Sequence, residues 1–348
     1  PESQVNYLQM QCEESRIVLA MNIDQLRQGV NQALKSEVAH NCLLISEIDD
    51  QLVPIANSLQ SYLSEGKRFR PLFALIGFLG ANGELTPQVY QAAASLEFLQ
   101  ASALIHDDLM DGSDTRRGKP AMHKQFGDAA AILIGDLALV WNEQAVHKSG
   151  LGTAEVNSVH DIMRTELMAG QFLDVYEQTQ STFSVERSLK IARYKSGKYS
   201  IERPLHFGAA LAAPANLSDF YNIYSEYGLP LGEAFQLRDD LLGVFGDPSE
   251  TGKPAGDDLR EGKRTALIAY AYDRGSEATK KVIEERLGTS NIEGLADAIA
   301  ESGAPIHVED LIEKLAEEAL DAIERDEINS NAKPLLIEMV SLVTKRTR

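Results

Sequence analysis

The chain has 348 residues, 44% of them hydrophobic but only 7% aromatic, and a formal net charge of −19. This acidity, without any basic stripe, argues against a nucleic-acid binder; an anionic substrate would need local basic residues and metal ions to override the global field. Two cysteines, Cys12 and Cys42, lack metal-type or redox spacing, and the N-terminus lacks the basic-then-apolar design of a secretory signal, so a cytoplasmic setting is expected.

Helical patterns dominate from the start. Residues 16–35 and 40–63 read as amphipathic helices, with the first 36 residues assigned to a peripheral N-terminal helix. Phe69 to Leu79 is strongly apolar and predicts a buried segment. Thr86-Pro87 marks a helix start. Ala92, Leu96, Leu99, Ala103 and Asp107 then recur at spacings of three and four, which carries that helix to Asp111. Residues 112–120 read as a polar loop. Further helices are predicted at 128–148, 153–178, 185–212 and 217–246, then a second polar loop at 247–263 and shorter helices to the end. The most apolar stretch, Ala129 to Trp141, is too short to span a bilayer and carries Asp136, so an integral membrane protein is not expected. Strand-like alternation is almost absent, and no linker divides the chain. The expectation is one all-α domain over residues 1–348 with central buried helices.

Three constellations carry chemistry. In Asp107-Asp108-Leu109-Met110-Asp111, Asp107 and Asp111 share a helix face while Asp108 points about 100° away. Two carboxylates one turn apart repel unless a cation lies between them, and carboxylates at a helix C-terminus also oppose the macrodipole. Hard oxygen ligands suit Mg²⁺, which keeps waters and bridges to phosphate oxygens. The second constellation, Gln236-Leu237-Arg238-Asp239-Asp240, repeats the layout: an apolar helix leads in and a polar loop follows. The third is basic. Lys67 and Arg70 lie three apart at a helix start, where free N–H groups favour an anion, and Arg116-Arg117, Lys195, Lys198, Lys253 and Lys263 lie in or beside predicted loops. Singly each reads as a surface charge; together they suffice for two diphosphates.

With GKRFRP, LIHDDLMDGSDTRRGKP, YKSGKYS, GEAFQLRDDLLGVFGD and GKPAGDDLREGKRT in this order, the chain resembles the trans-prenyl diphosphate synthases, and most of all the geranylgeranyl diphosphate synthase type of actinobacteria. The resemblance implies an isoprenoid-synthase-type helical bundle with a central cavity, working as a homodimer. It implies that Lys67, Arg70, Arg117 and Gln100 hold isopentenyl diphosphate. Asp107 and Asp111 would bind two Mg²⁺ and Asp239 a third, with Asp108, Asp174 and Asp240 in support and Mn²⁺ able to substitute. Arg116, Lys195 and Lys253 would grip the allylic diphosphate (dimethylallyl, geranyl or farnesyl), beside Ser196, Gln171, Gln236 and Lys263. The C-terminal Lys345-Arg346-Thr347-Arg348 reads either as a cap on the isopentenyl site or as a flexible tail. One departure stands out: where the resemblance calls for a third Asp in the second motif, this chain has Gly243.

The implied reaction is ionisation of the allylic C–O bond, attack by the isopentenyl double bond, and proton loss. No histidine base is required, so His106 and His123 read as structural. The tail is expected to run from the metals back along the helix that carries Asp107, past the small Ser102 and Ala103 toward Phe98 and Leu99, which predicts geranylgeranyl diphosphate as product. The alternatives are a farnesyl or longer-chain synthase, a terpene cyclase of the same helical class, or a non-catalytic subunit of a partner synthase.

Overall fold

A computed structural model describes residues 21–247 and 256–346. In chain order these form α1 (Ile23–Ser46), α2 (Val53–Ser64), α3 (Phe69–Gly80), α4 (Pro87–Asp111), β1 (Thr115–Arg116), β2 (Lys119–Pro120), α5 (Met122–Phe126), α6 (Asp128–Lys148), α7 (Ala154–Gln178) and α8 (Val185–Ala192). A π-helical stretch (Arg193–Glu202) leads into α9 (Arg203–Ala212) and α10 (Leu217–Phe245). Then come α11 (Asp257–Arg260), α12 (Ala266–Arg274), α13 (Glu277–Arg286), α14 (Leu295–Glu301), α15 (Ala304–Ala322) and α16 (Lys333–Thr344). Among the described residues the β-structure is one antiparallel hairpin inside the predicted 112–120 loop. The fold is all-α, as expected.

The predicted helices at 16–35 and 40–63 need correction. Asn22 accepts from the Gln25 amide while Gln25 bonds back to Asn22, a reciprocal cap that starts α1 at Ile23. The helix then runs unbroken to Ser46, because the apolar spacing continues through Val30, Leu34, Val38 and Cys42, all buried on one face. The break falls later, where Asp49 caps the Gln51 amide and Pro54 opens α2. Residues 1–20 of the expected N-terminal helix lie outside the described residues.

α4 starts where expected, with the Thr86 hydroxyl accepting from Val89 N, and stops at Gly112, whose φ of 70° suits the left-handed turn that ends a helix. Its residues from Ala92 to Leu99 are all buried. A helix apolar on every side belongs at the centre of a bundle, and α4 is accordingly wrapped by α1, α3 and α6.

α6 is longer than the Ala129–Trp141 stretch. At 21 residues, with an 18-residue stretch of mean hydropathy 1.2, it is long and apolar enough to cross a membrane by length and composition, and 44% of that stretch is buried inside the fold. Ala131, Ile134, Ala138 and Trp141 form the buried face; Ile132, Leu133 and Val140 are exposed.

The predicted 185–212 helix is interrupted by the π stretch. There Gly197 meets Gly232 of α10 so closely that a Cβ on Gly197 would lie 3.0 Å from the Gly232 carbonyl carbon. Wide turns of this kind are frequent at functional sites, and this one carries Lys195, Ser196 and Lys198.

Two apolar clusters share α10. Its first half (Phe220, Tyr224, Tyr227, Leu231) packs with the helices from α1 to α9 and with α16. Its last turns (Leu237, Leu241, Val244) pack with α11 to α15. The stretch of α10 from Leu231 to Leu237, just before Asp239 and Asp240, therefore sits at the seam between the two clusters.

Within the first cluster, His160 is fully buried and neither ring nitrogen has a hydrogen-bond partner. Burial, aided by Arg164, pulls its pKa from 6.5 to about 3. The folded state holds it neutral while the unfolded chain protonates it. Its contribution to stability is thus present above pH 6.5 and is lost as pH falls toward 3, at up to ~1.4 kcal/mol per pH unit. Thermal melts of His160→Phe should show a shallower loss of stability between these limits. A slope equal to that of the parent would place the acid sensitivity elsewhere, for instance at His206, which burial pulls down to about 4.

Candidate active site

The first acidic motif occupies the last turn of α4. Lys195 Nζ lies 2.9 Å from Asp107 Oδ1 and 2.6 Å from Asp174 Oδ2, and Gln171 Nε2 donates to the same Asp107 oxygen at 2.8 Å. Asp107, Gln171, Asp174 and Lys195 are therefore brought together. Burial pushes the Asp107 carboxyl up, but Lys195, Lys263 and Arg116 outweigh it and hold the group below the usual carboxylate range. Lys195 is raised for the reciprocal reason: burial opposes its charge, and Asp107 and Asp174 overcome that.

Asp111 is nearly sealed, its side chain 2% exposed, with Lys263 Nζ 2.9 Å from Oδ2. Beyond this ion pair, neither of its oxygens has a partner in hydrogen-bond geometry. Burial raises its pKa, and the charge of Asp107 adds to the rise against the pull of Lys263. Lys263 also pairs with Glu261 at 2.7 Å and Asp258 at 3.5 Å.

Asp108 behaves differently from its neighbours. It is 1% exposed and accepts two bonds from Arg116 Nε, at 2.9 and 3.1 Å, and a third from Nη2. Pointing away from Asp107 and Asp111, it fixes Arg116 and lies off the face those two share.

The second motif divides in the same way. Asp239 is 39% exposed and pairs with Arg346, whose guanidinium lies over the Phe235 ring at 4.1 Å. Asp240 is buried, accepting from Gln236 Nε2 at 2.8 Å and from the Ala266 amide at 3.0 Å. Burial pushes its pKa up to about 7. Asp240 thus ties α10 to the start of α12, while Asp239 faces the open side. The described part of the C-terminal tail lies against the second acidic motif.

The basic group is less uniform than the sequence suggests. Arg68, singled out by no sequence argument, is buried, pairs with Glu97 at 2.6 Å and donates to the carbonyls of Leu63 and Glu65. Arg117 Nη1 reaches the same Glu65 carbonyl at 2.9 Å and that of Tyr62 at 3.0 Å. Both arginines adopt left-handed backbone (φ 63° and 53°), a cost borne only where surrounding bonds over-determine the conformation. Gln100 lines a small cavity with Arg68, Glu97 and Arg117. Lys67 lies beside Phe69, its ammonium 5.6 Å from the ring centroid. Arg70 turns inward, over the Tyr199 ring at 4.0 Å with Nη2 donating to Ser200. Lys198 is not a loop cation; it is buried between Glu202 (2.7 Å) and Glu166 (3.3 Å) in the π stretch. Ser196 is buried one residue from Lys195. Lys253 lies outside the described residues. His106 bonds to the Ile132 carbonyl, and His123 is buried without a hydrogen-bond partner.

Among the described residues no three carboxylates are already grouped around a cation position. Ammonium and guanidinium groups stand beside the acids instead. That arrangement fits Mg²⁺, which is held by one or two carboxylates together with substrate phosphates and not by an all-protein cage. The buried Asp111 oxygens, short of hydrogen bonds, are the structural sign that a donor set is incomplete without a ligand.

A central apolar helix, acidic motifs on α4 and α10, and a surrounding shell of cations define a helical enzyme of the isoprenoid-synthase class. The chain belongs to the polyprenyl synthetase family, whose model matches residues 53–301. It is 31% identical over 300 residues to a geranylfarnesyl diphosphate synthase of Aeropyrum pernix, covering 84% of this chain and 93% of that one. It is 30% identical to a geranylgeranyl diphosphate synthase of Saccharolobus solfataricus, covering 78% and 79%. The structure of a geranylgeranyl pyrophosphate synthase from Corynebacterium glutamicum, complexed with isoprenyl diphosphate and magnesium, superposes with a TM-score of 0.87 at 38% identity over 94% of this chain and 100% of that chain.

Proposed function

We propose that this protein condenses isopentenyl diphosphate with an allylic diphosphate, head to tail, to give geranylgeranyl diphosphate as main product. The observation that carries this reading is the pairing of Asp107 and Asp111 on one buried helix end with Lys195 and Lys263 reaching them from two other elements. Metal ions entering there would supply neutralisation of the leaving diphosphate, Asp107 and Asp111 holding two and Asp239 a third; Mg²⁺ is the ion the oxygen donors suit, with Mn²⁺ as a substitute.

The protein's own groups do the rest. Lys195 is paired with both Asp107 and Asp174; with Asp107 holding a cation, it would keep its pair with Asp174 and be placed to grip the allylic diphosphate. Arg116, oriented by Asp108, joins it. Lys67, Gln100 and Arg117 frame the site for isopentenyl diphosphate. Fixed charges aimed at the developing negative charge are the largest expected contribution to rate, and the apolar wall along α4 keeps water from the cation. The described helices act as one domain, since α10 contributes to both apolar clusters. The exposed Ile132, Leu133 and Val140 on α6 support a homodimer that covers them.

Incubation with isopentenyl diphosphate and each allylic primer, with and without chelator, tests this reading. Product should form only with both substrates and a divalent cation. A hydrocarbon released from the allylic substrate alone would favour a terpene cyclase.

A further inference from the structure

The two acidic motifs differ at one position. In the first, Asp107 and Asp108 are followed one turn later by Asp111; in the second, Asp239 and Asp240 are followed at the same spacing by Gly243. Gly243 lies inside α10 and does not have positive φ. No backbone requirement calls for glycine there, and a glycine inside a helix costs about 1 kcal/mol relative to alanine. Its neighbour accounts for it. A Cβ on Gly243 would lie 1.9 Å from Oδ2 of Asp258 and 2.7 Å from its Cγ. The space a side chain at 243 would need is filled by the carboxylate of Asp258, which α11 delivers.

We infer that Asp258 supplies the second carboxylate of the Asp239 cation site, with Gly243 making room for it. The inference rests on the reading of this chain as a metal-dependent synthase. Residues four apart on a helix have Cβ atoms about 5–6 Å apart. Asp258 Oδ2, 1.9 Å from that Cβ position, therefore stands about 4–8 Å from the Asp239 Cβ, a span across which two carboxylates can share a cation and its waters. Asp258 is held there by two links. The Lys263 amide donates to the Asp258 carbonyl at 3.0 Å, and Lys263 Nζ lies 3.5 Å from Oδ1. The same ammonium is 2.9 Å from Asp111 Oδ2, and Asp111 is the buried carboxylate whose oxygens lack hydrogen bonds. Lys263 thus stands between the first motif and Asp258 and joins the two acidic groups into one constellation. Asp258 keeps 18% of its side chain exposed, so its carboxylate is still open to the site.

One consequence runs against motif logic: placing Asp at 243 should harm the site, because the new side chain collides with Asp258 and sets two like charges together. The test is calorimetric titration of the intact protein with inorganic diphosphate across a Mg²⁺ series, with thermal melts to show that each variant folds. Asp258→Asn should raise the Mg²⁺ needed for half-maximal diphosphate binding by about 10–100-fold. Gly243→Asp should do the same, and the double variant Gly243→Asp/Asp258→Gly, which moves the carboxylate back to the helix, should recover most of the loss. Parent-like Mg²⁺ dependence in folded Asp258→Asn, or Gly243→Asp binding Mg²⁺ and diphosphate more tightly than the parent, would overturn the inference while leaving the synthase reading intact. A parent protein that binds no diphosphate at any Mg²⁺ concentration would remove both.

Discussion

Replacing Asp107 or Asp111 by alanine is expected to cut turnover by roughly 10²–10⁵, with the protein still folded. The leaving diphosphate gains negative charge as the allylic bond breaks, and in a buried site that charge is stabilised by cations which these two carboxylates anchor. The surrounding pairs make the experiment clean. Loss of Asp107 leaves Lys195 with Asp174, and loss of Asp111 leaves Lys263 with Asp258 and Glu261, so no buried cation is stranded, which is the usual cause of collapse when one partner of an ion pair is removed. Steady-state rates on folded variants give the answer; turnover near that of the parent in either would remove that residue from the site. Asp108 makes the contrast. Its removal frees Arg116 and should weaken the allylic substrate before it alters the metal requirement.

The second large effect concerns product length. One helical turn of α4 covers about 5 Å, close to the reach of one extended five-carbon unit. One turn back from Asp107 stand Ser102 and Ala103; beyond them Phe98 meets Trp141 of α6 edge-on, with ring centroids 5.9 Å apart. The account expects Ala103→Phe to shorten the product from twenty carbons toward fifteen while leaving the metal requirement unchanged. Ser102 is the poorer test. It is fully buried with its hydroxyl unbonded, and a phenylalanine there overpacks the core at a cost of about 1–3 kcal/mol. Ala103 is only partly buried. An unchanged product distribution in well-folded Ala103→Phe would mean that the tail follows another face.

Much of this is legible in the sequence because helix signals are local. Thr86-Pro87 and Gly112 bound α4 by capping chemistry, and the three-and-four spacing from Ala92 to Asp107 runs between them. The predicted boundary near residue 40 is misplaced because nothing in residues 36–39 breaks a helix; the cap at Asp49 does. The π stretch is invisible in sequence, and so is the close approach of its Gly197 to Gly232 on another helix. At the candidate site, spacing places Asp107 and Asp111 on one face but does not reveal that Lys263 reaches Asp111, or that Lys198 is spent on Glu202 and Glu166. Arg68 is passed over because a buried arginine with a glutamate partner looks, in sequence, like any charged residue in a basic run. Asp258 has a signal, the acidic pair at 257–258, but its meaning needs the third dimension.

The most direct test of the central claim uses the homogeneous protein alone. Supplied with isopentenyl diphosphate, an allylic primer and Mg²⁺, it should release a prenyl diphosphate, chiefly of twenty carbons, at a rate that chelator abolishes. A folded protein that is inert with every primer, and turns over only when another synthase is added, would contradict the account and assign this chain to a partner's regulation.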